Sequence, residues 1–231
     1  MRLAPIVLVL ALPVACATPR VNVPDAEQAR ARTELTGKQR FLRVAASVGP
    51  LWADTDKLLV TDLPAKEIDL VESPNGAVIA PPPFERVLAP GTPVRVTAVE
   101  FPTHWVMVDR VLETPRYHPW VYLQLAGEKR PLVAVMDQRA ATAEAVAAEL
   151  DRLLTDDDPQ PVLAALPADV HDAVLRKEAR EGMSGRALEM AWGVPERKRI
   201  DRPNGTEEWI YPGGKRRAHL REDRVEQLEN P

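Results

Sequence analysis

The stretch Glu181-Gly182-Met183-Ser184-Gly185-Arg186-Ala187-Leu188-Glu189-Met190-Ala191-Trp192-Gly193-Val194-Pro195 reads as a helix with its punctuation attached. Ser184 stands where a hydroxyl can accept from an unpaired N–H of the first turn. Ala187, Leu188, Ala191 and Trp192 make one apolar side. Gly193 ends the helix and Pro195 blocks its continuation. Upstream, Pro167 or Ala168 begins another helix carrying Val170, Ala173 and Val174, with Gly182 as its C′ residue. Downstream come short strands. Arg197 to Asp201 turns at Pro203-Asn204-Gly205 into Thr206 to Tyr211, and Pro212-Gly213-Gly214 leads to Lys215 to Arg221. Glu222-Asp223-Arg224 then leads to Val225 to Leu228. Helices followed by antiparallel strands predict an α+β class.

Working outward, residues 41–136 read as a β-rich region of short apolar runs divided by turn residues. Asn75-Gly76 is a hairpin signal, because both residues tolerate the positive φ of tight hairpin turns. Pro93-Val94-Arg95-Val96-Thr97-Ala98 alternates with the strand period of two. Trp105 to Leu112, Trp120 to Leu125 and Leu132 to Met136 are further strand candidates. The Pro90-Gly91 turn into Val94-Arg95-Val96, then Trp105-Val106, then Trp120-Val121, resembles a bacterial Src-homology-3-like small barrel. Residues 137–160 hold the clearest helix, with Val146, Leu150, Leu153 and Leu154 in one stripe, read as a helical connector. Residues 16–40 are polar and read as a flexible tether, with room for a short helix over Asp25 to Leu35. The expected architecture is an N-terminal small β-barrel, the connector, and a two-helix module with a three-stranded antiparallel sheet over residues 161–231.

Glu181-Gly182-Met183-Ser184, then Leu188, then Trp192-Gly193-Val194-Pro195, then Thr206-Glu207-Glu208-Trp209-Ile210-Tyr211 resembles the outer-membrane lipoprotein family SmpA/OmlA, also called BamE. The resemblance covers under a third of the chain. It implies two helices on a three-stranded antiparallel sheet, and an accessory role in outer-membrane protein assembly or envelope integrity.

The N-terminus agrees with an exported protein. Arg2 precedes a short apolar run, Leu3 to Leu12, too small to span a bilayer that needs ~20 apolar residues. It fits a secretory signal over residues 1–15, ending at Cys16, the chain's single cysteine. Val14-Ala15-Cys16 resembles a bacterial lipobox, which implies diacylglycerol on the Cys16 thiol and an N-acyl chain, with no other cofactor. Ala17 after the cysteine favours the outer membrane by the same resemblance. The alternative is ordinary signal-peptidase cleavage at Ala15-Cys16-Ala17, which discards the thiol. The formal charge of −4, with both signs interspersed, argues against a nucleic-acid partner.

No catalytic constellation is visible. His104, His118, His171 and His219 form no spaced metal pair, and there is no G-x-S-x-G or phosphate-binding glycine loop. Ser184 is read as a helix cap. Two surface features are binding candidates. Arg116 and Tyr117 sit in a proline-stiffened loop, Thr114 to Trp120, of the residue types enriched at hot spots. Lys215, Arg217, His219 and Arg221 share one strand face, with Arg197 and Arg199 on an earlier strand, so the sheet can present a basic stripe to anionic lipid or an acidic partner. The competing reading is a solvated face neutralised by Glu207, Glu208, Glu222 and Asp223. The expected function is a non-catalytic binding or scaffold role at the periplasmic face of the outer membrane. Expected partners are membrane lipid and envelope proteins, including the β-barrel assembly machinery. Peptidoglycan binding through the barrel is the alternative.

Overall fold

A computed structural model describes residues 23–229. The expected signal peptide and the lipid site at Cys16 lie outside the described residues.

The first part of the fold runs α1 (Asp25–Leu35), β1 (Gln39–Leu42), β2 (Ala46–Leu51), β3 (Asp54–Thr61), β4 (Arg86–Leu88), β5 (Pro93–Glu100), α2 (His104–Asp109), β6 (Trp120–Leu125), β7 (Leu132–Val135), α3 (Ala143–Leu153) and β8 (Leu154–Thr155). Its strands form one eight-stranded sheet in the order β4-β2-β3-β7-β6-β5-β1-β8. The β3–β7 pair is parallel, Leu58 opposite Leu132, and the other pairs are antiparallel. This corrects the expected small barrel. A barrel closes only when its outermost strands pair, and here β4 and β8 end an open sheet. The outer side of β1 is taken by β8, Leu42 opposite Leu154. That strand comes from residues read as a connector, so 137–160 is not a spacer. The tether also shrinks, because α1 is packed, with Ala31 fully buried, and the sheet begins at Gln39.

Strand alternation sorts the apolar residues into two cores, as a pleated sheet covered on both faces requires. Val121 and Leu123 of β6 face a core roofed by Ala31 of α1 and by Val146, Leu150 and Leu153 of α3. Trp120 and Tyr122 face the other side, where Trp52, Leu59 and Val133 meet Ile68 and Val71 of the β3–β4 connection. Around Asn75-Gly76 the chain turns, with Gly76 at φ +79, and the arms pair briefly through the Glu72–Val78 bridge, Ser73 N donating to Ala77 O and Ile79 N to Val71 O, without extending into a longer ladder. Trp105 to Leu112 is no strand either. The Thr103 hydroxyl accepts from Val106 N and caps α2, and a local cap overrides the strand preference of Val106 and Val108.

The C-terminal part runs α4 (Gln160–Ala164), α5 (Ala168–Leu175), α6 (Gly185–Trp192), β9 (Arg197–Asp201), β10 (Thr206–Ile210), β11 (Arg217–Arg221) and β12 (Arg224–Glu229). Its sheet is a meander, β12-β11-β10-β9, of four strands where three were expected, and α4 adds a third helix. Ser184 accepts from Ala187 N at 3.2 Å and caps α6. Gly193 closes α6 at φ +93, and a Cβ there would strike the Asp62 carboxylate, so glycine is needed twice over. The α5 helix stops early, at Leu175. Lys177 takes the left-handed turn at φ +59, and Gly182 instead donates its N–H to Val225 O. Trp192, Trp209, Tyr211, Met183 and Leu188 form the core between helices and sheet.

Candidate binding cleft between the two sheets

The two sheets are tied by polar contacts. Ala45 N donates to Met190 O at 2.7 Å, and Arg43 pairs with Glu189 at 2.9 Å. Arg152 donates to Val194 O at 2.6 Å. The innermost tie is an ion pair between Arg216, just before β11, and Glu67, in the 3₁₀ turn Ala65–Glu67. Arg216 Nε reaches Glu67 Oε1 at 2.8 Å with both side chains buried. The guanidinium also lies 4.9 Å from the Trp192 ring and 4.8 Å from the Tyr211 ring, and Nη1 donates to Trp192 O at 3.4 Å. Arg216 is held here because β11 alternates. Ala218 and Leu220 turn into the core, and Arg216 extends that inward row to the junction.

Beside this pair a cavity of about 460 Å³ opens between the sheets. Phe84, Val87 and Trp192 supply apolar wall, and Lys66, Arg86, Arg176, Lys177 and Arg216 outnumber the lining carboxylates, Asp62 and Glu85, with Arg86 also paired to Glu128 and Arg176 to Glu178. Three buried polar atoms at the junction have no hydrogen-bond partner among the described residues: Arg216 Nη2, Glu67 Oε2 and the Tyr211 hydroxyl. Buried polar atoms are normally satisfied, so this junction has donor and acceptor capacity to spare. The Lys177 ammonium donates to Ala45 O at 2.6 Å and Asp62 O at 3.1 Å. Burial pushes it down to about 8, with Asp62 opposing the shift and Arg216 adding to it. Ser47 lines the same wall. Lys177 is committed to the two carbonyls, the geometry of a clamp.

The residues singled out from sequence fall elsewhere. On the last sheet, Arg199 and Arg217 flank Glu208 at 2.9 and 3.2 Å, holding its carboxyl below the usual range. His219 meets Glu229 at 2.9 Å and Arg221 meets Glu226 at 2.7 Å. Lys215 lies before β11 and Arg197 is exposed on β9. The stripe is thus interleaved with carboxylates, the arrangement of a solvated face. Arg116 and Tyr117 sit together on the loop before β6, the guanidinium 5.5 Å from the Tyr117 ring. Trp120 is core, its Nε1 donating to Pro115 O at 3.0 Å. His118 Nδ1 donates to Met136 O at 2.8 Å, and burial lowers its pKa. Among the described residues no three His, Cys, Asp or Glu side chains gather into a metal site. Glu67 and Lys177 carried no signal in the sequence. Arg216 carried a partial one, since strand alternation sets it on the face of Ala218 and Leu220.

Compared with models of known protein families, with curated proteins and with solved structures, the chain matches none.

Proposed function

We propose that this chain is a lipid-anchored, non-catalytic envelope protein that works by binding, and that its cleft receives an acidic, partly apolar segment of a partner protein. The observation that carries the reading is the buried Arg216 at a cavity rich in cations, with Phe84 and Trp192 beside it. A guanidinium already desolvated and oriented by Glu67 loses little on meeting a carboxylate. Lys66 and Arg176 at the exposed rim would steer an acidic segment inward. The lipobox-like Val14-Ala15-Cys16 supports anchoring, and Ala17 supports the outer membrane, facing the periplasm. The SmpA/OmlA resemblance makes the β-barrel assembly machinery the first partner to test. The cell-wall alternative rested on a closed barrel and is not carried further.

The test is site-specific photocrosslinking in intact envelopes from a probe at Val87, on the cleft wall. A discrete adduct is expected that vanishes when Lys66 and Arg176 are both changed to Glu. An adduct that survives the charge reversal would sink the reading.

A further inference from the structure

We propose that α2 and the loop after it form a bilayer-contacting surface that inserts beside the lipid anchor and sets the protein's orientation on the membrane. The proposal rests on the anchored reading above, and the observations behind it are separate from the cleft. Trp105 is 75% exposed, Val108 59% and Leu112 77%. Trp105 and Val108 fall at i and i+3 on one side of α2, and Leu112 stands on the loop that follows, past the extended cap residue Arg110. Three large apolar side chains exposed to water within one short excursion of the chain are of the kind that marks a contact surface.

The patch is displayed by a rigid base. Arg110 is buried, 3.6 Å from the Trp120 ring. It donates to the Glu100 carboxylate at 2.6 and 3.0 Å, and its Nη1 also donates to the carbonyls of Arg116 at 3.0 Å and His118 at 2.7 Å. One guanidinium therefore pins both ends of the excursion from Glu100 to His118. Met107 is buried beneath it, and the Thr114 hydroxyl donates to Val111 O at 2.7 Å. The exposure of Trp105 and Leu112 is thus built in rather than a consequence of a loose loop.

The occupant follows from where the anchor emerges. Gly37 N, just past α1, donates to Val96 O, and Arg32 reaches Val99 O at 3.4 Å. Going back towards Asp25, α1 therefore runs along β5 in the direction of Glu100, where β5 passes into α2. On that course the described chain begins towards the α2 end of β5, and Val23 and Phe101 belong to the same core. Cys16 is seven residues before Val23 and can lie at most about 25 Å away. Acyl chains on Cys16 would thus hold a bilayer within reach of the patch. Tryptophan and tyrosine favour the headgroup boundary, and Leu112 and Val108 suit the acyl edge. Asp109 and Glu113 flank the patch, so the attraction is apolar and not electrostatic.

All five tryptophans lie among the described residues, and the other four, Trp52, Trp120, Trp192 and Trp209, are buried. Trp105 can therefore be read as the difference between wild type and Trp105→Phe. The experiment reconstitutes the acylated protein into vesicles of phosphatidylethanolamine and phosphatidylglycerol brominated on the acyl chains. Flotation reports the anchor and tryptophan emission reports α2. Expected are flotation, a blue shift and bromine quenching, with shift and quenching lost in Trp105→Phe and unchanged by added salt. Protein that floats with Trp105 still quenched by aqueous acrylamide and not by bromine overturns the proposal and leaves the anchor standing. Protein that is not acylated yet is quenched, and loses binding in Trp105→Asp, upholds the surface and overturns the anchor. Protein that neither floats nor is quenched overturns both.

Discussion

Arg216 and Glu67 are the residues on which the junction turns, and their value lies in the pairing rather than in either charge. A buried ion pair contributes little net stability against an apolar pair of the same shape, whereas removing one partner strands the other and costs ~3–5 kcal/mol. Glu67→Gln should therefore lower the unfolding free energy of the whole chain by roughly that amount in urea titrations. Glu67→Gln combined with Arg216→Met should recover much of the loss. A double variant no more stable than the single one would show that Arg216 is held by its two aromatic neighbours instead. At the other end of the chain, Cys16 carries the anchoring claim. Metabolic labelling with palmitate should mark the wild type and leave Cys16→Ser unlabelled, and an unlabelled wild type would return the chain to ordinary signal-peptidase processing.

At the scale of the element, what was legible in the sequence was whatever local chemistry decides. The cap at Ser184, the stop at Gly193 and the turn at Pro203-Asn204-Gly205 were readable because each acts within four residues. The α3 stripe was readable for the same reason as far as Leu153, whereas Leu154, expected in the stripe, leaves the helix to pair in β8. What was not legible depends on partners distant in sequence. No local signal tells β1 that residues 154–155 will pair with it, nor β3 that β7 will lie parallel to it. Those two pairings are what turn an expected barrel into an open sheet. The cleft escaped for the same reason, because Glu67 and Arg216 are 149 positions apart. Trp209 shows the two kinds of information meeting. Its place mid-strand was local, whereas its packing is not. Its ring lies under Lys198, 3.6 Å from the ammonium, and a Cβ on Gly185 would sit 2.9 Å from it. Trp209→Ala and Trp192→Ala should each cost ~3–5 kcal/mol. The check is thermal unfolding of the full chain, since an isolated C-terminal fragment would lack Glu67. Variants that melt with the wild type would place these rings outside the core.

At the scale of the whole molecule, the cleft and the cores impose a pH profile on stability. Lys177 sits at about 8 in the fold against 10.5 when free. The folded state therefore binds fewer protons than the unfolded state between those values, and stability rises with pH through that window. Tyr122 and Tyr211 act in the opposite sense. Burial raises both above their ordinary value of 10.0, so the unfolded chain sheds these protons first and stability falls as pH climbs past about 10. On the acid side, burial lowers His118, while arginine partners lower Asp137, Glu178 and Glu208. The contributions of these four groups are lost as pH falls. Glu149, raised by burial, opposes them. Stability should accordingly peak on the alkaline side, between about pH 8 and 10, rather than near neutrality. Urea midpoints taken across that range should climb for the wild type. In Lys177→Met the climb should disappear, because the ammonium that must lose its proton at the cleft is gone. A wild-type midpoint that stays level from pH 7 to 10, or a Lys177→Met variant that still climbs, would mean that the Lys177 ammonium keeps its solvent and that the cleft is wetter than its hydrogen bonds to Ala45 and Asp62 imply.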